Sequence, residues 1–89
     1  MRVQNAMRAK LTAALAPLRL DIADDSGRHA GHAGARPEGE THFSVLIVSA
    51  QFAGKSRLER QRLVYGILRE ELAGPVHALS LVTRAPDET

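Results

Sequence analysis

The chain predicts an α+β fold in which helices pack on one face of a three-stranded sheet, in the order α-β-β-α-β. Three observations lead there. Apolar residues recur at helical spacing over residues 3–15 and 58–72, whereas residues 18–22, 42–49 and 76–84 have strand character. A glycine-rich stretch without periodicity, residues 24–41, separates the first two strands. The 89 residues are 44% hydrophobic, enough for one small core and too few for two, so residues 1–89 are read as a single domain.

In the first helix Val3, Met7, Leu11, Ala14 and Leu15 alternate with Arg2, Gln4, Arg8, Lys10 and Thr12, and Pro17 ends the pattern. This basic, amphipathic segment also has the composition of a mitochondrial transit peptide; a structural helix is the preferred reading, because removing it would strip a small core. Leu18, Leu20 and Ile22 then alternate with Arg19 and Asp21, as on a half-buried strand that ends at Asp24-Asp25.

Residues 24–41 contain four glycines and a proline, and a loop of that length inside a small domain is usually functional. HFSVLIVS, residues 42–49, is apolar on both faces, as a central strand requires. A turn follows in QFAGKS, and Ser56 with Glu59 forms the S-x-x-E capping box of the second helix. Leu58, Val64, Tyr65, Leu68 and Leu72 fall on one face of that helix, with Leu63 and Ile67 outside it. Gly74-Pro75 stops the helix, residues 76–84 form the last strand, and residues 85–89 read as a polar tail.

Composition narrows the function. With two Phe, one Tyr and no Trp, the core is aliphatic. The absence of cysteine removes disulfides and thiolate chemistry, so a metal would be held by His, Asp or Glu, or shared with a partner. No apolar run approaches a membrane span. A net charge of +2, spread over scattered arginines, is a weak nucleic-acid signal. The isolated G-K-S of residues 54–56 is not a phosphate loop, because Ser49 stands where the upstream glycine belongs. No catalytic constellation is present, and the chain is not expected to be an enzyme.

Four segments, DDSGRHAGHAG, GETHF, VSAQFAGKSRLERQRLVYGILREELAG and PVHALSLVTRAP, resemble the BolA family in order and spacing over nearly the whole chain. The resemblance implies a fold related to class II K-homology (KH) domains. It also implies a monothiol glutaredoxin partner and a bridging 2Fe-2S cluster shared with that partner and glutathione. The isolated chain, a monomer or weak homodimer, would hold no cluster stably. The implied role is iron-sulfur trafficking or iron signalling; the high Ala and Arg content, without a convincing presequence, separately points to a bacterial cytoplasm. By the same resemblance the ligands are His77, in V-H-A-L, and His29, in the loop, with His32 in reserve and His42 structural or interfacial.

Bare chemistry is compatible with such a half-site, since two imidazoles serve one iron in Rieske centres. An Asp24/Asp25/His metal site ranks lower, because neighbouring acids after a strand more often shape a turn.

A second expectation comes from bacterial members of the family, which resemble DNA-binding transcriptional regulators of stress response, morphology and biofilm formation. Lys55, Arg57, Arg60 and Arg62 cluster where a helix N-terminus can receive phosphate. Against it stand Glu70 and Glu71 on the same helix, the lack of an aromatic platform, and FAGKS in place of the G-x-x-G loop of RNA-binding KH domains.

Overall fold

The computed structural model describes residues 2–25 and 40–88. The elements are α1 (Arg2–Leu15), β1 (Arg19–Asp24), β2 (His42–Val48), α2 (Arg57–Ile67), α3 (Arg69–Ala73) and β3 (Ala78–Arg84), with 3-10 turns at Ala50–Phe52 and Pro86–Glu88. The sheet order is β1-β2-β3, as expected for an α+β fold with a central apolar strand. β1 runs antiparallel to β2, with Ile22 opposite Val45, and β3 runs parallel to β2, with Val45 opposite Leu81.

That register aligns Leu20, Ile22, Phe43, Val45, Ile47, Leu79 and Leu81 on one face, because side chains alternate along each strand. Helical residues cover this face: Met7, Leu11 and Leu15 from α1, Val64 from α2, and Leu68 between α2 and α3, with Phe52 beside them, all buried. Ala14, expected on the buried stripe of α1, is exposed.

The end of α1 is set by its backbone. Ala16 has φ +42°, and its N–H donates to the Thr12 carbonyl at 3.1 Å, the left-handed cap that usually falls to glycine. Pro17 then turns the chain toward β1.

The capping box of α2 forms as the sequence predicts: the Ser56 hydroxyl accepts from the Glu59 N–H, and the Glu59 carboxylate accepts from the Ser56 N–H at 2.7 Å. The buried face of the helix keeps Val64, Leu68 and Leu72 of the expected set and differs from it in the rest. Leu58 and Tyr65 are exposed, while Arg60, Val64 and Leu68 face inward and Leu63 and Ile67 pack at their margin. Arg60 shares the inward face because its guanidinium reaches Glu88.

The predicted single helix is also divided at Leu68, although Leu68 and Leu72 still donate to the carbonyls of Val64 and Leu68, both at 3.0 Å. Lys10 ties α1 to α3 through Glu71 at 2.7 Å and Glu70 at 3.0 Å. Where the sequence reads a polar tail, Ala85 is buried and residues 86–88 make a 3-10 turn.

Candidate functional site

Strand directions bring three chain segments to one end of the sheet. β1 finishes there, β2 and β3 both start there, and His42 lies beside Ala78 in the register. The chain leaves this end at Asp25, whose N–H donates to the His42 carbonyl at 2.7 Å, and returns at Glu40. His29 and His32 lie between those points, outside the described residues.

The Thr41 carbonyl is the anchor. It accepts the N–H of His77 at 2.8 Å and of Ala78 at 3.2 Å, and Thr41 itself is fully buried. His77 therefore precedes β3 by one residue, where the sequence placed it on the strand, because β3 pairing begins at Ala78. Its backbone is held nonetheless, and the residue is exposed. His42 is half-buried; its Nδ1 is 2.9 Å from the Thr41 hydroxyl, and its ring stands edge-to-face with that of His77 at a centroid distance of 6.3 Å.

Hydrogen bonds close this end on the β1–β2 side. Asp24 accepts the Glu40 N–H at 3.0 Å, and the Ser44 hydroxyl donates to Asp25. Glu40, at φ +61°, accepts the N–H groups of Val3 and Gln4 at 3.0 and 3.1 Å, so it also caps α1. Asp24 and Asp25 thus shape the strand junction, and no group of three metal-binding side chains occurs among the described residues. GETHF carries the family resemblance, yet nothing in it marks the roles of Glu40 and Thr41. A glutamate far along the chain from the helix it caps leaves no local signal.

The basic residues form a second feature. Lys55, Arg57 and Arg62 are exposed around the capped start of α2. Arg60 is not exposed with them. Its Nη1 and Nη2 donate to the two Glu88 oxygens at 2.6 and 2.7 Å, its Nε donates to the Lys55 carbonyl at 2.9 Å, and its guanidinium carbon lies 5.9 Å from the centre of the Phe52 ring. This ion pair, helped by the Ala85 N–H, holds the Glu88 carboxyl down at about 2. Among the described residues no helix is long and apolar enough to cross a membrane.

Comparison with known proteins places these features in a family. A family model described as BolA-like protein matches residues 11–88. The chain is 52% identical over 85 residues to the protein BOLA1, chloroplastic, of Arabidopsis thaliana, covering 93% of this chain and 53% of that one. It is 42% identical over 83 residues to the DNA-binding transcriptional regulator BolA of Escherichia coli (strain K12), covering 93% and 75% respectively. The chain thus spans little more than half the length of the plant relative. The solved BolA domain of SufE1 from Arabidopsis thaliana is 44% identical with a TM-score of 0.86, over 99% of this chain and 95% of that one. With the family model covering most of its length and the fold matched to a solved BolA domain, the chain belongs to the BolA-like family.

Proposed function

We propose that the protein is an adaptor that binds a monothiol glutaredoxin and shares a 2Fe-2S cluster with it and glutathione, in iron-sulfur trafficking or iron and redox signalling. One observation carries the reading: His77 is an exposed imidazole on a backbone anchored by Thr41, at the sheet end where the chain leaves for and returns from residues 26–39. His77 and a second imidazole, His29 or in reserve His32, fit one iron, while a partner's thiolates fit the other. When bound, the cluster supplies electron transfer or is itself passed on. The chain contributes donors, and the backbone that carries His77 is anchored on Thr41. His42 contributes a neighbouring ring without being assigned as a ligand. The setting is cytoplasmic and the role non-enzymatic.

The test mixes the protein with a monothiol glutaredoxin, glutathione, iron and sulfide, and records visible circular dichroism. The wild type is expected to give a spectrum distinct from that of the glutaredoxin cluster, and His77→Ala and His29→Ala to lose it. Three mixtures that all match the glutaredoxin alone would overturn the reading.

A second reading, DNA-binding transcriptional regulation, rests on the exposed Lys55, Arg57 and Arg62 around the α2 N-terminus. Likeness to a relative named as a DNA-binding regulator supports it. Arg60 enters this reading as the residue that holds the surface together, because Glu88 already occupies its guanidinium.

A further inference from the structure

A groove of about 760 Å³ runs between α2 and β3, and neither His42 nor His77 lines it. Its floor is the outer edge of β3, which among the described residues pairs only with β2. The direction of the backbone groups along that edge can be read from two bonds. The Arg84 carbonyl accepts from Ser49, at the end of β2, whereas the Thr83 carbonyl turns to Arg60 in α2. Backbone groups alternate sides along a strand, so the N–H and C=O groups of Leu79 and Leu81 point away from β2, into the groove. The wall opposite is formed by Gln61 and the exposed Tyr65.

Charge selects the occupant. Lys55, Arg57 and Arg84 line the groove, and the one acid among its lining residues, Glu88, is committed to Arg60. A second copy of the chain would bring the same acid-poor edge and leave those cations uncompensated. A phosphodiester backbone offers acceptors only, and would cover the outward carbonyls of Leu79 and Leu81 without pairing them. An extended polypeptide supplies both donors and acceptors at the spacing of the edge.

We propose that this groove binds an extended acidic segment of a partner protein, which adds a fourth strand beside β3 with its carboxylates directed at Lys55 and Arg57. The side chains of the added strand alternate between the α2 side, which carries Lys55 and Arg57, and the open face of the sheet, which carries the exposed Val82, so the segment alternates acidic and apolar residues.

The probe is a fluorescein-labelled octapeptide of alternating Val and Glu, followed by fluorescence anisotropy on the whole protein. Saturable binding is expected, weakened about tenfold when Lys55→Glu and Arg57→Glu are combined. Two further peptides carry N-methyl groups on alternate amides, one on the Val set and one on the Glu set. Strand addition requires that one set abolish binding and the other leave it within about twofold. Amide shifts at Leu79 and Leu81 should accompany binding by the parent peptide. The proposal fails if the peptide does not saturate, or if both methylated peptides bind like the parent. It also fails if an oligo-dT of equal charge displaces the peptide at a lower concentration than unlabelled peptide does, which would assign the groove to single-stranded nucleic acid.

Discussion

Arg60 holds Glu88 through two parallel bonds, Nη1 to Oε1 at 2.6 Å and Nη2 to Oε2 at 2.7 Å, and so fastens the last turn of the chain to the start of α2. Both ends of the contact are reinforced, Glu88 by the Ala85 N–H at 2.9 Å and Arg60 by the Lys55 carbonyl. The geometry is the planar fork that arginine makes and lysine cannot.

The pair sets an acid sensitivity. The Glu88 carboxyl is lowered from 4.5 to about 2 in the folded chain, so the unfolded chain takes up this proton first as pH falls. Its stabilisation is complete above 4.5 and declines between there and about 2. Urea midpoints measured across that window should fall less steeply for Glu88→Gln than for the wild type. Parallel curves would show that Glu88 adds no acid sensitivity.

Ser49 is fully buried, and its hydroxyl donates to the Leu15 carbonyl at 2.6 Å while accepting from the Gln51 N–H at 3.1 Å. Ser49→Ala leaves the last carbonyl of α1 without this donor, in a place closed to water. Chemical denaturation should show a loss of about 1–3 kcal/mol, the cost of an unsatisfied buried polar group.

Ala16 holds a left-handed conformation at φ +42°, where its Cβ is crowded. Ala16→Gly should therefore stabilise the protein by about 0.5–1 kcal/mol, despite the greater freedom of glycine in the unfolded chain. A lower melting temperature in calorimetry would count against this account.

If DNA is a ligand, the basic residues divide. Neutralising Lys55, Arg57 or Arg62 should each reduce the slope of log K against log salt by about one. Arg60→Ala should instead lower the unfolding midpoint, since its charge faces Glu88. Equal slope changes for all four residues would show that Glu88 yields Arg60 to phosphate.

The sequence by itself determined the element order, the sheet with helices on one face, the capping box at Ser56 and Glu59, and the family. Each is written locally: strand alternation, turn residues and caps are set by residues within a few positions of one another. His77 was legible as a candidate from its motif, although its anchor was not. Only the tertiary structure decided that Arg60 joins the inward face of α2 while Leu58 and Tyr65 leave it, because Arg60 finds its partner 28 positions away at Glu88, and a charged residue carries no sign that it will be buried. The same holds for Glu40, which caps α1 from 37 positions further along, and for Thr41, whose carbonyl sets the position of His77. These contacts depend on which strand ends the sheet brings together, and that is a property of the assembled register rather than of any one segment.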